Sequence, residues 1–158
     1  MSKILTAYFS AGGKTAKAAA KLASKLGADL YEIKPAEKYT KADLNWLNKN
    51  SRSSVEMNNK RMRPAIITGD IDMSAYDTIW LGFPIWWYVA PTVINTFLEA
   101  YNFAGKKIIL FATSGGSGFG NTLAELVPSA PGAEFSETAV LSGILTEKKI
   151  KEFVNGQK

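Results

Sequence analysis

The chain contains no cysteine and no histidine. The first absence excludes a disulfide framework, and the two together exclude thiol or imidazole nucleophiles, an imidazole general base and a Cys/His zinc site. Redox chemistry, if there is any, therefore belongs to a bound cofactor. No apolar run approaches the ~20 residues that span a bilayer. The opening Met1-Ser2-Lys3-Ile4-Leu5 leads straight into a strand-like segment with no small-residue cleavage site after it. No signal peptide is read there, and a cytoplasmic protein without membrane contact is expected. A G-x-S-x-G elbow is absent too, as are carboxylate clusters in the loops, which leaves hydrolase and metal-phosphatase readings without support.

What is present is a chain of 158 residues, 46% apolar, enough for one domain spanning 1–158 with a sizeable core. Its charge is uneven. Residues 38–63 hold Lys38, Lys41, Lys49, Arg52, Lys60, Arg61 and Arg63 against Asp43 and Glu56, a net +5 that equals the excess of the whole chain. A solvated basic surface explains this segment, and so does a docking surface for an acidic redox partner protein or a small electron acceptor. It has one Trp and one Tyr but no nucleic-acid motif, so no nucleic-acid partner is expected.

Strand-like apolar runs alternate with helical patterns. Lys3–Phe9 is almost continuously apolar, as in a buried parallel strand. Ala16–Leu26 carries Ala16, Ala19, Ala20, Ala23 and Leu26 at helical spacing, and Gly27 follows as a C-cap would. Asp29–Ile33, Thr78–Phe83, Lys107–Thr113 and Ala133–Leu141 read as further strands. Helices are expected from Pro91 to about Tyr101, near Thr122–Leu126, and after Thr146. The polar stretch 36–64 is the least regular, with a short helix expected at Asp43–Leu47. Five strands alternating with helices predict an α/β fold with a mostly parallel sheet and helices on both faces. Right-handed crossovers then bring the loops after the first, third and fourth strands to one carboxyl edge.

Those three loops carry the chemistry. The first, Ser10-Ala11-Gly12-Gly13-Lys14-Thr15, ends like a triphosphate P-loop, but position 8, where that motif needs its first glycine, is Tyr8. It still offers the hydroxyls of Ser10 and Thr15 and backbone N–H groups at a helix start, where a phosphate is favoured. A strand–helix turn that binds nothing reads the same way. The second, Pro84-Ile85-Trp86-Trp87-Tyr88, puts three adjacent aromatics ahead of Pro91, suited to stacking on a flat ring or to an interface. The third, Ser114-Gly115-Gly116-Ser117-Gly118, permits close backbone approach to a ligand, or is simply a flexible turn. Together they suit a flat, singly phosphorylated cofactor. FMN fits better than a dinucleotide because the G-x-G-x-x-G spacing is missing.

The segments "AYFSAGGKT", "LGFPIWWYVAPTVINTFLEAY" and "LFATSGGSG", in this order, resemble the flavodoxin family in its short-chain form, and "NWLNKNSRSSVEMNNKRMRPAI" is similar to the intervening segment of a bacterial subgroup. The resemblance implies a flavodoxin-like three-layer sandwich, with a five-stranded parallel sheet in order 2-1-3-4-5, helices on both faces and FMN at the switch point of the first and third strands. It implies that Ser10, Gly13 and Thr15 hold the phosphate, with Lys14 and Ala16 as backbone donors. Gly12 stands where the family carries Thr, one hydroxyl fewer. Pro84 to Tyr88 and Ser114 to Gly118 would flank the flavin, with no side chain catalytic and no metal. The implied activity is electron transfer between redox partners. The alternatives are an FMN-dependent NAD(P)H:quinone-type reductase and a non-catalytic binding domain that has lost FMN. A monomer and a homodimer both fit.

Overall fold

The computed structural model describes residues 3–10, 14–37, 39–40, 42–45, 47–59, 62–69, 71–85, 90–113 and 122–141. Five parallel strands form one sheet: β1 (Lys3–Tyr8), β2 (Asp29–Glu32), β3 (Tyr76–Pro84), β4 (Lys107–Thr113) and β5 (Glu134–Leu141). Their order across it is β2-β1-β3-β4-β5, as the resemblance implies. The sheet is covered on both sides, so its central strands are buried throughout rather than on alternate residues. Ile79, Leu81 and Phe83 of β3 face one layer while Trp80 faces the other, and β4 divides in the same way, Ile108 and Leu110 against Ile109 and Phe111.

One covering layer is α1 (Lys14–Leu26). Its Ala18, Ala19 and Leu22 are fully buried against Trp80, Ile109 and Phe111. Two alanines on the contact face bring the helix axis close to the sheet, leaving room for the large rings of the strands. The helix stops at Gly27, whose φ of +65° is open to glycine at little cost, and Ala28 N–H closes the end on the Ala23 carbonyl at 2.9 Å. The opposite layer holds α3 (Thr92–Ala100), which buries Val93, Ile94, Phe97 and Leu98, and the short α4 (Thr122–Leu126). Each such large side chain contributes about 1.5–3 kcal/mol on burial. Pro91 sits one position before α3 as its N-cap. The helix expected after Thr146 lies outside the described residues.

The stretch between β2 and β3 departs from expectation. Among the described residues 42–45 and 47 there is no helix; residues 42–44 and 47 are turns, and Thr40 and Asp43 bond each other's backbone N–H through their side chains. The helix lies later, as α2 (Arg52–Asn58), capped by Ser51. Its pattern misleads because its buried positions are Ser53, Ser54 and Glu56, polar residues that no apolar periodicity reveals. Glu56 accepts from the Tyr39 hydroxyl and pairs with Arg52 at 2.9 Å, and the Arg52 guanidinium lies 3.9 Å over the Tyr39 ring. Arg52 also donates to the Glu37 carbonyl at 2.7 Å. Burial above all, then the bond to Glu56, pushes the Tyr39 hydroxyl far above the usual phenol range. The segment returns beside its own start, with Ala36 N–H on the Ala65 carbonyl and Ile67 N–H on that of Lys34, both at 2.8 Å.

At the opposite, amino edge of the sheet, buried Tyr76 donates to Asp29 at 2.7 Å. Burial first, then this bond, pushes the Tyr76 hydroxyl up to about 12 from an ordinary 10.0. A folded-state value raised in this way adds stability that is complete below pH 10 and lost as the pH rises to about 12, because the unfolded chain ionises first. Tyr76→Phe is expected to be less stable than wild type at pH 8 and to show a shallower loss of stability between pH 10 and 12 in denaturant titrations. Parallel curves for the two proteins would exclude this tyrosine as a source of the alkaline loss.

Candidate functional site

The carboxyl ends of β1, β3 and β4 lie side by side, Tyr8 in register with Gly82 and Pro84 with Thr113. The loops that leave them therefore start from one edge, as the crossover rule predicts. Phe9 N–H bonds the Gly82 carbonyl at 3.0 Å, extending the β1–β3 pairing to the start of the first loop. On the far side of that loop α1 begins at Lys14, with no acidic residue in its first turn. An anion there would meet the positive helix end without a carboxylate competing from the helix's own first turn.

Thr113, the last residue of β4, joins all three loops. Its hydroxyl lies 2.6 Å from that of Thr15, two buried side chains separated by 98 positions in sequence. Its carbonyl accepts from Ile85 N–H at 3.0 Å, at the start of the second loop. The third loop begins at the next residue.

Of the residues expected to form the site, the structure brings Thr15, Pro84 and Ile85 together around Thr113 and places Ser10 at the end of β1 on the same edge. Lys14 and Ala16 lie in the first turn of α1. Gly12, Gly13, Trp86, Trp87, Tyr88, Ser114, Gly115, Gly116, Ser117 and Gly118 lie outside the described residues.

Sequence reasoning ended the fourth strand at Thr113 without giving that residue a role. The available signal was a hydroxyl immediately before a glycine-rich loop, but its partner is remote in sequence. A cleft was missed as well. It has a volume of about 400 Å³ and opens beside Ser10 at the ends of β1 and β2. Phe9, Tyr39 and Ile67 give it apolar surface, and Glu32 and Lys34 give it charge of both signs. Tyr39 forms one wall, with the Phe9 ring 5.5 Å away and steeply inclined to it, and its hydroxyl turned to Glu56. In the layer that faces α1, burial first and the Glu32 carboxylate second raise the Tyr8 hydroxyl above the ordinary phenol range. Among the described residues no cluster of acidic side chains could hold a metal ion, and no helix is long and apolar enough to cross a membrane.

The basic segment is less free than its composition suggests. Arg52 is committed to Glu56 and Tyr39, and Arg63 pairs with Glu99 at 2.8 Å. Lys49 is exposed, while Lys38, Lys41, Lys60 and Arg61 lie outside the described residues.

Comparison with known proteins matches this architecture. A flavodoxin family profile matches residues 3–157. A crystal structure of a provisionally assigned flavoprotein from Bacteroides eggerthii is 49% identical, with 99% of this chain and 98% of that one covered and a TM-score of 0.90. Its counterpart from Bacteroides uniformis is 47% identical over 98% of each chain, with a TM-score of 0.92. A Lactobacillus acidophilus flavoprotein, solved in complex with FMN, shares the fold at 23% identity and a TM-score of 0.71, with 98% of this chain and 99% of that one covered. No functionally curated protein matches the chain. With a family profile spanning nearly every residue and the sheet order in agreement, this chain belongs to the flavodoxin family.

Proposed function

We propose that this protein binds FMN at the carboxyl edge of its sheet and carries electrons between redox partners through it. The observation that carries this reading is the meeting of the loop stems at Thr15, Ile85 and Thr113, which makes one site of three loops. The fold relative solved with FMN supports the choice of flavin. The donor set fits the group: a hydroxyl and a helix start free of carboxylates for the phosphate, with an apolar strand end beside them. Ser10 and Thr15, with the backbone at Lys14 and Ala16, would hold the phosphate; Pro84, Ile85 and the loop residues that follow, together with Ser114 to Gly118, would flank the ring. Bound FMN would supply the one- and two-electron chemistry, and the protein contributes binding, orientation and exclusion of water. A partner protein of acidic surface or a small acceptor would dock near the basic segment, to which Lys49 contributes. A cytoplasmic location belongs to the same proposal.

A second reading, an FMN-dependent reductase fed by NAD(P)H and serving quinone-type acceptors, draws support from the cleft of about 400 Å³, which leaves room for a second small molecule next to Ser10. Titration of the apoprotein with FMN tests the first reading. Tight one-to-one quenching of flavin fluorescence is expected. No quenching and a colourless protein would bring forward the non-catalytic binding domain, for which Gly12 is the sequence hint. Rapid bleaching of the bound flavin by NAD(P)H without a partner protein would favour the reductase.

A further inference from the structure

We infer that Thr113 is a positioning residue that sets the direction of the Thr15 hydroxyl and so makes the site select a phosphorylated flavin over riboflavin. The inference rests on the FMN reading above and adds to it a residue outside the phosphate loop. Thr15 and Thr113 are 2% and 8% exposed, and their hydroxyl oxygens stand 2.6 Å apart. Each hydroxyl has one proton to give and two lone pairs to receive with. One of the two must donate across this contact, and the geometry alone permits either direction.

A phosphate resolves the choice. It is an acceptor only, so a Thr15 that serves it must spend its proton on it. The Thr15 oxygen can then only accept from Thr113. The chain runs from the Thr113 O–H to the Thr15 oxygen, and from the Thr15 O–H to the anion. Hydrogen bonds aligned head to tail polarise one another, and the last, donated to an ion, gains most. Without the Thr113 donor, the Thr15 proton has no fixed direction. Gly12, where the family has a hydroxyl, raises the share that falls on Thr15 and its support. The Thr113 carbonyl meanwhile accepts from Ile85 N–H. Backbone and side chain thus do different work: the carbonyl anchors a loop expected at the ring, and the hydroxyl acts only on the phosphate end.

This separation makes the test specific. Thr113→Val keeps the shape and the backbone bond and removes the hydroxyl. FMN and riboflavin are titrated separately into wild type and variants by fluorescence quenching. Losing the hydroxyl that aligns the Thr15 donor on the anion is expected to weaken FMN roughly 10-fold in Thr113→Val, while riboflavin changes by less than about 3-fold. Thr113→Ser, which restores the hydroxyl, is expected to recover the wild-type ratio. Equal weakening of both flavins, or an unchanged ratio, would overturn the inference and leave Thr113 a packing residue. If the valine variant does not fold, Thr113→Ala removes the same hydroxyl without putting a methyl group in its place and reads the same ratio. A wild type that takes up no FMN overturns the cofactor reading and this inference together; a wild type that binds FMN while the variant keeps its selectivity overturns this inference alone.

Discussion

Replacing Gly82 by valine is expected to prevent the protein from accumulating in folded form. A Cβ built at Gly82 would lie 2.2 Å from Phe111 Cζ and 2.4 Å from Cε2, inside any tolerable contact. Gly82 and Phe111 are paired across β3 and β4, and the Phe111 ring covers the glycine. The ring cannot swing aside, since Phe111 is fully buried in the layer formed with Ala18, Ala19 and Leu22 of α1. The requirement at this glycine is space, not an unusual backbone angle. Alanine alone is an overpacking substitution, costing about 1–3 kcal/mol, which lowers the melting temperature by roughly 3–10 °C in a domain of this size. Valine adds two further methyl groups at the same point. Shortening the ring should help: Gly82→Ala with Phe111→Leu is expected to recover more than half of the loss in thermal melts. A single alanine variant that melts within a degree of wild type would show that the ring moves freely after all. The position also bears on function. Gly82 lies two residues before Pro84, so a displaced β3 end would shift Ile85 and weaken FMN uptake as well as stability.

The second large effect is expected at Glu56. This carboxylate is 5% exposed and serves two partners at once, the Tyr39 hydroxyl and the Arg52 guanidinium. Glu56→Ala takes the carboxylate from both, while the Arg52 charge keeps the Glu37 carbonyl, the Tyr39 ring and the more distant attraction of Asp43. Breaking a fully buried pair costs about 3–5 kcal/mol. Arg52 is 20% exposed, so water offsets part of that, and a loss of about 2–3 kcal/mol is expected. Glu56→Gln, which keeps one acceptor, is expected to lose about half as much. Chemical denaturation measures the totals, and hydrogen exchange locates them: protection should fall first across residues 36–66, the segment the cluster closes. Because Tyr39 also walls the cleft beside Ser10, loosening it should alter that cleft before the sheet gives way. An alanine variant with unchanged denaturation midpoint and unchanged exchange in this segment would refute the assignment.

The strands, the helices α1, α3 and α4 and the meeting of the loop stems at one edge were legible in the amino-acid sequence. Their signals are local. Apolar runs of strand length, alanines at helical spacing and Gly27 after the last turn each act within a few residues of themselves, and right-handed crossovers turn that succession into one edge. The resemblance added the strand order. The places where reading failed share a different cause. The helix Arg52–Asn58 buries serine and glutamate, so its inward face carries no apolar period, and the partner of its buried Glu56, Tyr39, lies outside the helix. The junction at Thr113 and the crowding of Gly82 by Phe111 join positions 98 and 29 residues apart.

The sequence by itself determined the kind of layers this protein builds and which loops meet at the carboxyl edge, because backbone preference and burial of apolar faces are properties of short segments. Only the tertiary structure decided which hydroxyl stands against which, which carboxylates Arg52 and Arg63 pair with and where a glycine is obligatory. Those outcomes depend on distances of a few ångströms between elements that come together only when the sheet closes, and no local pattern encodes them.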